Sequence, residues 1–388
     1  MRIAVEGWLS APHSYTTVNQ FQCLALLERP ELTVFHRERP LARGWRSVSG
    51  QLDPGRSHRL AQMPPPDGGR VDRWLRADAP YRFGPEPLAD RLLVFATAEF
   101  GKLHHEYWQW MGASSWAEAC GDSGAIVVTP SSWSRRGFIE SGVPADRVAI
   151  VPHGIDPTLY HPLPPVDRAA LRQAWGWSDY FVIYNVGGTI PRKGSDLIIR
   201  AMAAVMERYP QVRLAIKAND AIYGGDRAGV TQWADQVRSL LPDRAADRLL
   251  ERTVYLGKFL SYAHMAQLYQ AADAYLSPYR AEGFNMPVLE AIACGLPVVC
   301  TQGGPTDDFT HPDFARPIAS QLQAHEIQYG DGKQETVWMW EPNWEATVAE
   351  LEWLLDRPDW VAQARQAGPQ WAHSRYTWNQ AIDRLLAA

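Results

Sequence analysis

Short apolar runs alternate with amphipathic stretches along most of the chain. In the first half, Ile3–Glu6, Leu32–Phe35, Leu92–Ala96, Ala125–Val128 and Val148–Val151 read as strands, with helical stretches such as Val18–Glu28 and Ser132–Glu140 between them. A second series follows. Its strands are Phe181–Val186, Arg213–Lys217, Thr253–Leu256, Ala274–Ser277 and Pro297–Cys300, and its helices run over Asp196–Arg208, Ala263–Ala271 and Met286–Cys294. Helical periodicity continues through Trp344–Leu355, Val361–Ala372 and Trp378–Leu386. This alternation predicts mostly parallel sheets covered by helices on both faces. The expected fold class is α/β, with two Rossmann-like doubly wound domains. Between Pro40 and Pro87 the pattern breaks, and the run Pro64-Pro65-Pro66-Asp67-Gly68-Gly69 reads as part of a long irregular insertion. His161-Pro162-Leu163-Pro164-Pro165 reads as a stiff linker, dividing the chain into residues 1–165 and 166–373. Two such domains create a cleft, with ligands beyond the carboxyl ends of the strands.

Composition narrows the class. A chain of 388 residues with 46% hydrophobic and 21% charged residues has ample core for two or three domains. The formal net charge of -5 argues against wrapping nucleic acid. Cys23, Cys120, Cys294 and Cys300 form no CxxC pair, which excludes a thiolate zinc finger and fits a reducing compartment. The opening Met-Arg-Ile-Ala-Val-Glu reads as a strand and not as a signal peptide, so a cytoplasmic location is expected. No uncharged apolar run approaches the ~18 residues that span a membrane.

The chemistry concentrates in one stretch, Glu282-Gly283-Phe284-Asn285-Met286-Pro287-Val288-Leu289-Glu290, after the strand Ala274–Ser277. Asn285 is a candidate N-cap, Pro287 suits a first helical turn and Gly295 a helix stop. Glu282 would then lie in the loop before the helix and Glu290 one turn inside it, at different depths of one pocket. The amides of Gly283, Phe284, Asn285 and Met286 would form an anion site between them, fit for a phosphate or diphosphate. A second loop, Asn185 to Gly194, contains Gly187, Gly188, Arg192 and Lys193 and links a strand to a helix, so its cations project where phosphates bind. In the first half Glu99, His104 and His105 follow a strand, and His153 sits near the domain boundary. For each of these the competing reading is a solvated loop charge or a satisfied core residue.

The run Glu282 to Glu290, continued by Ala291-Ile292-Ala293-Cys294-Gly295-Leu296-Pro297-Val298-Val299, resembles the E-x7-E signature of retaining GT-B glycosyltransferases of family 4, the glycosyl transferases group 1. Val151-Pro152-His153-Gly154-Ile155-Asp156 resembles that family's exit from the first domain, and Arg192-Lys193-Gly194 its donor-phosphate loop. The resemblance is strong from about Ser123 to Gly304 and weak over residues 1 to 90. It implies a GT-B architecture in which residues 374–388 return to the first domain. It further implies an enzyme of carbohydrate biosynthesis that moves a hexosyl group from a UDP- or GDP-linked sugar, with retention, to a sugar, lipid-linked or protein acceptor. On that pattern Glu282 would contact the transferred sugar, Glu290 the ribose and Lys193 the diphosphate, with Arg192 standing in for an arginine replaced here by Gly187-Gly188. Gly257 and Lys258 would adjoin the base, and Glu99 the acceptor. No D-x-D triplet occurs, so no metal and no separate cofactor are expected. A sugar-nucleotide epimerase, a phosphorylase and a catalytically silent sugar-binding scaffold are the alternatives. Oligomeric state and peripheral membrane contact stay open.

Overall fold

Strands built from Ile, Val, Leu and Ala need cover on both faces, and the chain supplies it twice. The computed structural model describes residues 1–103, 105–220, 226–328 and 332–388. Among them the chain divides into two units. The first is Met1–Gly154 with Ala324–Trp338 and Tyr376–Ala388, and the second is Ile155–Gln323 with Met339–Arg375.

The first unit holds a parallel sheet of β1 (Arg2–Gly7), β2 (Thr33–Glu38), β3 (Val71–Ala77), β4 (Ala89–Phe95), β5 (Ile126–Thr129) and β6 (Val148–Ile150), in the order β2-β1-β3-β4-β5-β6. The segment 40–87, expected to be irregular, contains the helix Pro54–Ala61 and the central strand β3. The reason it escapes periodicity is charge. Arg76 is buried in β3 because Glu6 and Glu86 lie 3.6 and 3.1 Å from its guanidinium. Arg82 lies 3.1 Å from Glu6 and Trp74 Nε1–H donates to it. Burial pushes the Glu6 carboxyl up, but Arg82, the Trp74 bond and Arg76 together hold it below its ordinary value.

In the second unit β7 (Phe181–Val186), β8 (Val212–Lys217), β9 (Thr253–Leu256), β10 (Ala274–Ser277), β11 (Val298–Thr301) and β12 (Ala315–Ile318) form a second parallel sheet. Its order is β12-β11-β10-β7-β8-β9. Strand order reverses between β7 and β10, and in such a sheet a ligand sits beyond the carboxyl ends of the strands at this reversal. Ile198, Met202 and Val205 of the helix Ser195–Arg208 pack on one face with Trp233, Leu351 and Leu354. The edge strand β12 reads Ala-Arg-Pro-Ile, and its proline is tolerated only because it lies at an edge. A further two-stranded sheet, β13 (Ser320–Gln328) with β14 (Gln334–Pro342), had no clear signal in the sequence. The segment His161–Pro165 lies within the second unit, where the His161 carbonyl accepts from Gln270 Nε2 at 2.9 Å. No described helix is long and apolar enough to cross a membrane.

The last helix, Trp378–Ala387, starts with a capping box of Thr377 and Gln380 and belongs to the first unit. Trp378 stacks on Phe21 at 5.7 Å between ring centroids, and a side chain at Gly154 would collide with the Trp378 backbone. Truncating this buried ring leaves a cavity, so Trp378→Ala should destabilise the first unit by about 3–5 kcal/mol. Urea unfolding would show this as a lowered midpoint, and an unchanged midpoint would contradict the packing.

Candidate functional site

The site is built by the two loops that leave β7 and β10. After β7 the chain runs through Gly187 and Gly188 to a tight turn, Pro191–Lys193, and then to Gly194 at φ 75°. A Cβ at Gly194 would fall inside the Pro278 carbonyl. Glycine is thus required both for the left-handed backbone and for the close approach of the two loops. Main-chain bonds fix that approach: Arg280 N–H and Ala281 N–H donate to the Arg192 carbonyl at 2.7 and 3.3 Å.

The consequence is a charge cluster. The Lys193 ammonium donates to the Glu282 carboxylate, and Arg192 Nη1 lies 3.8 Å from its other oxygen while donating to the Ala281 carbonyl at 3.3 Å. Glu282 is only 7% exposed. Two nearby cations repay the cost of burying that carboxylate, and removing either partner would leave an uncompensated charge.

Beyond Glu282 the chain turns into the helix Met286–Ala293. Asn285 precedes it at φ 71°, and its side chain does not cap the helix as expected. Its amide instead donates to Ser277 Oγ at 3.0 Å, tying the turn back to the end of β10. Asparagine tolerates this backbone better than other side chains. Pro287 occupies the first turn and Gly295, at φ 81°, follows the helix end. Phe284 points into the core, 4.8 Å from the Phe309 ring, so only its backbone faces a ligand role. Gly283 is buried and Met286 half-buried.

Glu290 lies one turn into this helix and is buried. Tyr269 donates to its Oε2 at 2.7 Å and Tyr160 supplies a second side-chain bond. Burial pushes its carboxyl up from 4.5 to about 6, against the pull of both hydroxyls. The Tyr184 ring lies 5.0 Å from that of Tyr269, and its buried hydroxyl has no partner.

Gly188, at φ 61°, abuts Ala218 and helps line a small open pocket with Thr189, Asn219, Asp220 and Tyr255. Tyr255 donates to Asp220 Oδ1 at 2.9 Å. A Cβ at Gly257 would overlap Asp220, so this glycine makes room for a buried acid. Lys258 is exposed in the loop after β9. Lys217 ends β8 buried and donates to the Ala218 carbonyl. Burial pulls its ammonium down to about 8, although Asp220 draws it the other way.

Glu99 belongs to the first unit. It is half-buried, and its carbonyl accepts from Trp133 Nε1 at 3.0 Å. His104 lies outside the described residues. His153 is buried among the rings of Phe95 and Trp378, and burial alone pushes it down to about 3, so it stays neutral. Sequence reasoning did not single out Asp220, Lys217, Tyr160, Tyr269 or Arg280. A lysine closing an otherwise apolar strand was the one available signal.

The family model described as glycosyl transferases group 1 matches residues 167–371, more than half of the chain and all of both loops. The D-inositol 3-phosphate glycosyltransferase of Segniliparus rotundus is 29% identical over 245 residues, covering 62% of this chain and 46% of that protein. A GDP-mannose-dependent alpha-(1-6)-phosphatidylinositol monomannoside mannosyltransferase of Mycolicibacterium smegmatis is 26% identical over 239 residues, 60% of this chain and 58% of that protein. The chain spans about half the length of the curated relatives it matches. Among solved structures, Anabaena HepE in complex with UDP and glucose superposes with a TM-score of 0.67 at 17% identity, covering 100% of this chain and 99% of that one. WaaG, a glycosyltransferase involved in lipopolysaccharide biosynthesis, gives 0.62 at 16% identity over 98% of each chain. At these identities the likeness establishes the fold, which is that of GT-B glycosyltransferases. The chain therefore belongs to the glycosyl transferases group 1 family.

Proposed function

We propose that this protein is a retaining glycosyltransferase that moves a sugar from a UDP- or GDP-linked donor to an acceptor hydroxyl without a metal ion. The observation that carries the reading is the approach of Lys193 and Arg192 to Glu282 at the strand-order reversal, beside the start of the helix that holds Glu290. Cations, amides at a helix start and two acids of different environment suit a nucleoside diphosphate sugar. The donor class also agrees with relatives: HepE is described with UDP-glucose, and the Mycolicibacterium enzyme is GDP-mannose-dependent. Metal independence rests on the missing D-x-D triplet and on two cations in the loop.

In this reading Lys193 and Arg192 bind the diphosphate, and each contact at ~4 Å is worth up to ~4 kcal/mol in a partly dry site. The amides of Gly283 to Met286 face the leaving phosphate, where negative charge grows in the transition state. Gly188 lets backbone approach the phosphates. When the diphosphate takes a share of the lysine, Glu282 is freed to accept hydrogen bonds from sugar hydroxyls. The acceptor oxygen attacks the anomeric carbon from the face the phosphate leaves. The bond to phosphate breaks, the new glycosidic bond forms, and the acceptor proton passes to the departing phosphate oxygen. Glu290 accepts from the ribose hydroxyls, Gly257 and Lys258 adjoin the base, and Glu99 serves the acceptor from the first unit. The acceptor is a sugar, lipid-linked or protein hydroxyl.

A thermal-shift panel of UDP, GDP, ADP and dTDP tests the donor class, because a ligand of the native state raises its stability. Glu282→Ala should lower turnover by roughly 10²–10³-fold while leaving nucleoside diphosphate affinity nearly intact. Lys193→Ala should instead weaken that affinity by about tenfold. Equal loss of affinity in both variants would refute this division of labour, and stabilisation by none of the four nucleotides would refute the donor class.

Glu290 generates a pH test. Its folded-state value of about 6 lies above the ordinary 4.5, so the folded chain holds this proton more tightly than the unfolded one. Stability from this group is highest below about pH 4.5 and falls as pH rises through about 6, by about 2 kcal/mol in all. Glu290→Gln removes the titration. Its stability relative to the parent should rise by that amount between pH 4.5 and pH 8, read by denaturant unfolding at both values. A difference independent of pH would contradict the assignment, whatever its size.

A further inference from the structure

Arg280 lies two residues before Glu282 and uses every N–H of its guanidinium. Nε and Nη2 donate to the two oxygens of Glu341 at 2.6 and 2.8 Å. Nη1 and Nη2 donate to the two oxygens of Asp196 at 2.7 and 2.9 Å, and Nη1 also donates to the Pro191 carbonyl at 3.0 Å. Its main chain is held as well. Its N–H donates to the Arg192 carbonyl at 2.7 Å, and its own carbonyl accepts from Trp340 N–H at 2.9 Å. The three side chains are largely withdrawn from solvent, at 16% exposure for Arg280, 29% for Asp196 and 28% for Glu341. Asp196 lies in the first turn of the helix that follows Lys193, and Glu341 is next to last in β14. Trp340, its neighbour, packs its ring where any side chain at Gly303 would stand.

We infer that Arg280 is a positioning residue: its fork, clamped between Asp196 and Glu341, holds the Pro191–Lys193 turn in register with the loop that carries Glu282. The assignment to a donor site rests on the function proposed above; the clamp itself rests on geometry alone. Every bond of Arg280 given above ends on the two loops or on their supports. The role needs a planar fork with two bidentate faces. A lysine, with three donors on a point charge, cannot make both at once. The sensitivity is large because a ~1 Å displacement of positioning groups can cost ~100-fold in rate. β14 thereby acquires a task, since Glu341 is its contribution to the register of a loop 61 residues earlier in the chain.

Arg280→Lys and Glu341→Gln test this in the full chain by hydrogen exchange, thermal unfolding and calorimetric titration with UDP and GDP. Arg280→Lys should speed amide exchange in residues 187–194 and 280–286 by at least about tenfold, with β8 amides unchanged. It should weaken nucleoside diphosphate binding by roughly tenfold, and Glu341→Gln should move both quantities in the same direction by less. Unchanged exchange in the two loops together with parental affinity would overturn the inference. So would a uniform rise in exchange across the second unit, because Arg280 would then hold the fold and not two loops. If Arg280→Lys does not fold, Glu341→Gln, equal in shape and lacking only the charge, carries the same reading. Loosened loops in a parent that binds neither nucleotide would uphold the clamp and overturn the donor-site reading.

Discussion

Gly194 lets the loops of β7 and β10 meet backbone to backbone, and most of what is distinctive about the second unit depends on that meeting. A side chain at this position would collide with the Pro278 carbonyl and demand a strained backbone. The separation it forced would break the bonds from Arg280 and Ala281 to the Arg192 carbonyl and part Lys193 from Glu282. The strand order places the two loops side by side, because the reversal falls between β7 and β10. Topology thus brings the loops near, glycine closes the last gap, and the cation–acid cluster follows.

The parts of this arrangement that were legible in the sequence are local. Glu282, Gly283, Asn285, Pro287, Glu290 and Gly295 fall within one strand–loop–helix unit, where spacing alone dictates which residue sits in the loop and which on the helix. The cationic loop before Ser195 is legible for the same reason. What was hidden depends on contacts distant in the chain. β3 looked irregular because Asp72, Arg73 and Arg76 interrupt its apolar pattern, and the acids that neutralise Arg76 come from β1 and from Glu86. Asn285 was expected to cap its helix, yet Ser277 offered its amide a better partner across the turn. The tyrosines that hold Glu290, and the acids that hold Arg280, come from other elements and have no short-range signature.

The two units treat buried charge differently, and the difference bears on function. In the first, Glu6 is surrounded by Arg39, Arg76 and Arg82, and Asp78 by Arg39 and Arg82, a network of opposite charges that lets charged strands lie inside a sheet. In the second, burial outweighs the bonds to Glu290, whose carboxyl rises. The cations around Glu6 hold its carboxyl below the ordinary value, whereas Glu290, bonded to two neutral hydroxyls, is held above it. That difference in charge environment supports the proposed role of Glu290 and the reading of the ion network around Glu6 as a scaffold.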